Sequence, residues 1–496
     1  MAEKLDLFYV QSLSGGLNLR SEDYMLQGNE GSEVQNFLFN ADGSLTKRNG
    51  SVLYNSATIS SGKPIGSLYR FYKSTTTAKK MLSVCDGTLY EGDDTLGTWA
   101  SKGSLGADTS CSFETWEDTC YIANGTVFKQ WDGTTLSDVS GSPPIGKYVV
   151  FRKDRLYVAG VSANPNRLYF CDTGDPTTWN AGTNYIDIRS NDGDVITGIM
   201  PMRDYLVIYK RNSIWLLSGN SAANFFLTQV SETVGCKASG TLVPFENVHY
   251  FLHDTGIYAF DGSSPINVSD KVQPEIDGIQ RQYFENAKAV VYKRQYWLSY
   301  TASGTANNSI LAHDLRLGVW SILKGLFASS FCIWAGGDDS GEIYAGDSQD
   351  GFVRKLDTGT ADDGAEIETK FMSKSFDLDG NPLRYKEIKQ IFLITSLSAI
   401  SPTVILTLDW GNNAQPILFP ISDALVTWDS TEWDASKWSG GGIQKLIKPT
   451  VWNSSKSARG QNVSLTVQET SLASWKLIGF GFAYRPEPSD YKILAE

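Results

Sequence analysis

Apolar and polar positions alternate along this chain in short runs, each closed by glycine or a polar turn pair, and helical periodicity is scarce. Gly256-Ile-Tyr-Ala-Phe-Asp-Gly262 shows the plan. In an extended segment successive side chains point to opposite faces, so Ile257 and Ala259 share one face and Tyr258 and Phe260 the other. Asp261-Gly262 supplies a turn, because glycine accepts positive φ and aspartate hydrogen-bonds its own backbone. Versions of the unit recur at Gly87-Thr-Leu-Tyr-Glu-Gly92, Gly125-Thr-Val-Phe-Lys-Gln-Trp-Asp-Gly133, Ser213-Ile-Trp-Leu-Leu-Ser-Gly219 and Gly341-Glu-Ile-Tyr-Ala-Gly346. Looser copies stand at Arg167-Leu-Tyr-Phe-Cys-Asp172 and Gln295-Tyr-Trp-Leu-Ser-Tyr300. Aligned on the central aromatic they fall at Tyr90, Phe128, Tyr169, Trp215, Tyr258, Trp297 and Tyr344, with gaps of 38, 41, 46, 43, 39 and 47 residues.

A second strand-like run precedes most copies by one turn, as at Met81-Leu-Ser-Val84, Tyr205-Leu-Val-Ile-Tyr209 and Val248-His-Tyr-Phe-Leu252. Hairpins repeating every ~40–50 residues are the mark of β-propeller blades, each of which buries its faces only against its neighbours. Solenoid periods are shorter or carry helices, and chance recurrence in a β-rich chain is the plain alternative. The pattern therefore predicts an all-β protein. Residues 56–362 form a β-propeller of six to eight blades, seven by preference, with Trp215, Tyr258 and Tyr344 in equivalent strands. Residues 1–55 supply N-terminal strands and blade closure, Leu7–Val10 being the candidate closing strand. The polar stretch 357–366 lacks aromatics and reads as a linker. Beyond it the repeat stops, and alternation at 371–376, 388–394, 403–408, 462–467 and 475–484 predicts a C-terminal β-sandwich over 363–496.

Charge narrows the partners. Asp and Glu number 55 against 43 Lys and Arg, a net −12. A protein that grips nucleic acid by neutralising phosphates carries a basic patch, and composition points to none. The amino-terminal residues lack a basic segment followed by an apolar one, so no secretory signal is expected, and no run of ~18 apolar residues predicts a membrane span. The six cysteines form no CxxC pair, and several sit in apolar runs, which suits buried free thiols in a reducing compartment.

Catalytic patterns are thin. His249 and His253 are four apart, but in a strand-like run rather than on a helix, so the helical metal pattern fails. Asp172-Thr-Gly174 with Trp179 approaches a sialidase Asp box, once and with the wrong spacing. Asp377-Leu-Asp-Gly-Asn381 imitates the start of a calcium loop but has Ile388 where the bidentate Glu is needed. No nucleophile elbow or Walker loop occurs, and no pair among the many carboxylates is singled out for glycoside hydrolysis. The expectation is a non-enzyme without cofactor or metal. Trp428, Trp433 and Trp438 are spaced for a loop; they fold back as a lid on the sandwich, contact another subunit, or stack on sugar.

Three stretches carry a family resemblance. Ser14-Gly-Gly-Leu-Asn-Leu-Arg20, Asn29-Glu30, Asn36-Phe-Leu-Phe39, Asp42-Gly43 and Lys47-Arg48-Asn-Gly50 form one. Phe170-Cys-Asp-Thr-Gly-Asp-Pro-Thr-Thr-Trp179 and Trp428-Asp-Ser-Thr-Glu-Trp-Asp-Ala-Ser-Lys-Trp438 are the others. Together they resemble the tail nozzle, tail tube or packaged-DNA stabilisation proteins of short-tailed bacteriophages. The resemblance implies a structural virion protein made in the host bacterial cytoplasm. Copies of it would form a ring, six-fold by resemblance, that retains packaged DNA and lets it pass during ejection. Its implied partners are adaptor proteins, tail fibres or spikes, and passing double-stranded DNA without specific recognition. A phage adsorption protein binding host surface polysaccharide and a cellular interaction platform are the competing readings.

Overall fold

A computed structural model describes residues 5–76, 78–92, 97–107, 110–189, 192–334, 341–396, 400–409, 415–418 and 458–487. The chain divides into two compact units that are not consecutive in sequence. One holds residues 51–311 and 325–357, the other 1–50, 312–324 and 358–496.

The first unit is a ring of seven blades. Six are four-stranded antiparallel sheets. Blade one is Ile65–Lys73, Ala78–Cys85, Thr88–Gly92 and Trp99–Ser104. Blades two to five begin with Ser112–Trp116, Tyr148–Phe151, Ile196–Met202 and Val243–Phe245. The sixth position holds the hairpin Lys288–Tyr292 and Gln295–Tyr300, and the chain runs on into Ser309–Asp314. Blade seven is Ala328–Trp334, Glu342–Asp347 and Val353–Leu356, completed by Ser51–Leu53. The first strand of blade seven packs on that of blade one, where the Ser329 hydroxyl donates to the Ile65 carbonyl at 2.5 Å. The ring is thereby closed.

The strand that closes it is therefore Ser51–Leu53, not Leu7–Val10. Asp6–Val10 pairs with Lys476–Pro486 in the other unit. Alternation places Phe8 and Val10 inward and leaves Leu7 and Tyr9 exposed, which identifies a strand without saying to which sheet it belongs. Ser51–Leu53 is a three-residue outer strand whose Val52 and Leu53 are both exposed, so it carries no alternation to read.

Apolar clusters sit between neighbouring blades. Phe71, Leu82, Val84 and Leu89 of blade one meet Cys120, Ile122 and Trp131 of blade two. Ile65, Leu68 and Met81 meet Cys332, Tyr344 and Val353 across the closure. Burial at ~25 cal/mol per Å² of apolar surface is the main force holding such a ring, because no blade has a core of its own.

The recurrent aromatics occupy two strand positions rather than one. Tyr90, Phe128, Tyr169, Trp215 and Tyr258 lie in the third strands of blades one to five. Trp297 and Tyr344 lie in second strands, so Tyr344 is not equivalent to Trp215 and Tyr258. Second and third strands are the two arms of one hairpin, both buried, and a β-branched–aromatic–glycine run suits either arm.

The second unit is a β-sandwich to which both ends of the chain contribute. One sheet runs Ala458–Gly460, Lys386–Thr395, Lys476–Pro486, Leu45–Lys47 and Phe37–Phe39, with Asp6–Val10 beside Lys476–Pro486. The other contains Glu30–Gln35, Ile367–Ser373, Val463–Ser471, Thr403–Leu408 and Gln415–Leu418. Phe371 of the second sheet meets Phe480 of the first with centroids 6.2 Å apart, and Phe376 lies against both Phe480 and Phe8 at 5.9 and 5.0 Å. The sandwich is thus not confined to 363–496; the first 50 residues are part of it.

Candidate functional site

Two places concentrate polar chemistry, one in each unit. In the sandwich it is the amino-terminal motif. Asn36 sits at φ 57°, and its amide oxygen accepts from Arg48 Nε at 2.9 Å and from the Lys324 backbone N–H at 2.8 Å. Its amide nitrogen donates to the Glu368 carbonyl at 2.8 Å. The Arg48 guanidinium, almost fully buried, also donates to the Lys324 carbonyl at 2.9 Å and to both oxygens of Asp362 at 3.0 and 2.5 Å. Two side chains thereby tie together residues 36, 48, 324, 362 and 368, where the chain leaves this unit and returns to it. Gly50 is forced: a Cβ there would lie 1.9 Å from the Ala361 carbonyl oxygen. Upstream, Glu30 accepts from Asn18 Nδ2 at 3.1 Å and from the Gln27 backbone N–H at 2.9 Å. The motif is a knot of buried, fully used donors and acceptors rather than an open site.

In the propeller it is the axial channel. A cavity of about 990 Å³ opens where the first strands begin and where second strands turn into third strands. Its charged lining is lopsided: Lys147, Arg211, Lys237 and Lys288 against Glu285. Arg211 lies 3.7 Å from Glu285, and Asp254 takes Lys237 and, at 3.3 Å, Arg281. Lys288 enters from blade six, and its Nζ donates to Ser110 Oγ, just before blade two, at 2.9 Å. Those blades are not neighbours, so the side chain reaches across the ring interior. Its stem passes over Gly240, where a Cβ would be 2.3 Å from Lys288 Cδ. Burial lowers the pKa of this ammonium. Tyr148, on the same wall, is pushed up to about 12 by desolvation.

The other residues singled out by sequence have structural places. Burial lowers His249 to about 4, and it bonds the Tyr209 hydroxyl at 2.8 Å. His313 stacks on Trp320 at 4.2 Å and is likewise lowered to about 4 by desolvation. His253 bonds Thr255 Oγ1 at 2.9 Å. Among the described residues no group of three or more His, Cys, Asp or Glu could hold a metal. Asp379 of the calcium-like stretch caps the Asn381 N–H at 3.0 Å and pairs with Lys386 at 3.0 Å, as a turn residue does. In the 170–179 loop Asp175 accepts from Thr177 and Thr178, while Trp179 donates to the Pro176 carbonyl and is buried edge-on against Phe128. That loop fills the seam between blades two and three. Trp428, Trp433 and Trp438 lie outside the described residues. Sequence reading missed the axial lysine: one Lys at the start of an ordinary strand carries no local signal, and only ring closure brings it near Ser110.

Comparison with known proteins gives a family model described as bacteriophage P22 Gp10, beta-propeller, which matches residues 50–361. No curated protein matches the chain. Among solved structures, the extracellular domain of a one-component system from B. thetaiotaomicron aligns at 13% identity and TM-score 0.43, over 80% of this chain and 58% of its own. The WD40 domain of Neurospora crassa Pan2 aligns at 11% identity and TM-score 0.40, over 64% of this chain and 97% of its own. The chain thus spans less than two thirds of the first of these.

Proposed function

The chain belongs to the bacteriophage P22 Gp10 β-propeller family, and from that premise we propose that it is a tail component that assembles with copies of itself into a ring. The ring, six-fold by resemblance, retains packaged DNA and lets it pass during ejection. Adaptor proteins and tail fibres or spikes are its neighbours, and the virion is its destination. The observation that carries this reading is the extent of the family match, 50–361, which begins and ends within a few residues of the propeller unit at 51 and 357. The match is to a whole ring of blades, not to a stray pair.

A scaffold of this kind needs surfaces and stability rather than turnover, so no activity on host polysaccharide is expected of the purified chain. A protein that lets DNA slide must not hold phosphates, since each neutralised phosphate adds counterion-release affinity, and a net charge of −12 agrees with that requirement. The test is a phage carrying a nonsense mutation in this gene, grown without suppression. Heads should fill and then lose their DNA, and the purified chain added to such heads should restore retention. Stable, DNA-filled particles lacking the protein would overturn the reading.

A further inference from the structure

We propose that the axial cavity of the propeller is a binding site for a small multivalent oxyanion, centred on the Lys288 ammonium and walled by Lys147, Arg211 and Lys237. This goes beyond the role in the tail, since no ring or DNA is needed for it.

The charge imbalance is the first observation. In a chain of net charge −12, the cavity gathers four cations and one carboxylate; Arg211 lies beside that carboxylate, Glu285, and Lys237 pairs with Asp254, which leaves the positive charges of Lys147 and Lys288 uncompensated. The second is the place of Lys288. Its ammonium is carried into the ring interior to a single hydroxyl, Ser110 Oγ, and a glycine is kept beneath its stem. Among the described residues neither Lys288 nor Lys147 forms an ion pair. The Lys288 side chain is half-buried, and an ammonium partly desolvated without a counter-charge gains from an oxyanion beside it. The third is the remaining wall, where the hydroxyl of Ser239 adds a donor suited to phosphate or carboxylate oxygens, those of Ser112 and Ser329 being engaged by backbone carbonyls. The volume, about 990 Å³, is at the upper end of ligand pockets, ~300–1,000 Å³. It admits a small molecule and not a DNA duplex. Arg211 and Lys237 also edge an adjoining hollow with Arg281, where Asp254 and Glu285 pair with them.

The cavity contains its own reporter. Cys111 lines it and is the half-exposed one of six free cysteines; the other five are buried. The experiment titrates the full chain with sodium tripolyphosphate and, separately, with citrate, by calorimetry at 50 mM and 300 mM salt. Alkylation of Cys111 by iodoacetamide is followed in parallel. We expect binding of at least one anion, weakened tenfold or more in Lys288→Gln and in Arg211→Gln, and changed less than twofold in Lys79→Gln on the exposed surface. The bound anion should slow Cys111 alkylation at least fivefold in the parent and not in Lys288→Gln. Binding of tripolyphosphate alone assigns a phosphate-bearing ligand; binding of both assigns charge as the criterion. Absence of heat and of protection with both anions would overturn the proposal. So would equal affinity in the parent, Lys288→Gln and Arg211→Gln.

Discussion

Arg48 joins distant stretches of the sandwich unit by donating to Asn36, the Lys324 carbonyl and Asp362. Removing the buried guanidinium takes one of two donors from the Asn36 amide oxygen, one from the Lys324 carbonyl and two from the Asp362 carboxylate. Breaking such a pair from one side costs ~3–5 kcal/mol, so Arg48→Ala should lower the urea midpoint of the sandwich strongly. Arg48→Lys should recover little, because one ammonium cannot serve three acceptors in a fork. Two further residue types set the pH range. His249 and His313 have folded pKa values near 4, below the ~6.5 of an unfolded chain. The unfolded state binds protons first, so the stability present above ~6.5 is lost as pH falls toward 4, by on the order of 2–3 kcal/mol per histidine. Glu114, in the first strand of blade two, is raised to about 7 by burial, and works in the opposite direction. Its share is full below ~4.5 and is lost as pH rises through about 7. We expect thermal stability to peak near pH 6 and Glu114→Gln to stabilise at pH 8 but not at pH 5. A flat profile from pH 4 to 8 would contradict this. For His249 the strand-like surroundings argued against a helical metal pair, whereas nothing in the sequence singled out His313. Arg48 was legible only as part of a motif, because its partners lie up to 314 residues away.

At the scale of elements, strands were easier to read than the turns and pairings that join them. Alternation located the aromatic strand of every blade, its hairpin partner in most, and five of the sandwich strands, while Glu30–Gln35, Gln415–Leu418 and Ala458–Gly460 went unread. Four first-to-second-strand turns carried no glycine to announce them. Glu117-Asp118, Lys153-Asp154, Glu246-Asn247 and Lys293-Arg294 adopt φ of 47° and 60°, 47° and 57°, 46° and 65°, and 47° and 60°, the geometry of a type I′ turn. Non-glycine residues there cost of order 1 kcal/mol each. Replacing Lys293-Arg294 by Asn-Gly should therefore raise stability by ~1 kcal/mol, read as a higher melting temperature. A lower one would mean that the ion pairs the substitution removes, Lys293 with Asp357 at 2.6 Å and Arg294 with Glu246 at 3.6 Å, outweigh the strain of the turn. The closing strand makes the complementary case. Val52→Pro would remove a backbone donor and misfit a strand of three residues, opening the pairing with Val353–Leu356. We expect limited proteolysis to cut first near residue 57 in that variant, while deletion of residues 1–5 should leave the propeller as resistant as before.

For the whole molecule, sequence indicated a propeller followed by a sandwich, and the structure interleaves them. The chain crosses between units after residues 50, 311, 324 and 357. Hydrophobic periodicity has no memory of where a strand's partner lies, so a sandwich built from both termini reads as one domain at the end and loose strands at the start. The overall charge raises an expectation for DNA. At 150 mM salt, duplex binding by the isolated chain should be weaker than ~10 μM, since non-specific binders reach ~1–100 μM by neutralising phosphates; micromolar binding with a steep salt slope would instead mark a DNA clamp. The role in the tail is tested most directly by electron cryomicroscopy of the intact phage particle. We expect density for seven-bladed discs repeated symmetrically around the tail axis, with DNA passing through the ring they form. A particle in which the chain is absent, or bound as a single peripheral copy away from the axis, would contradict it.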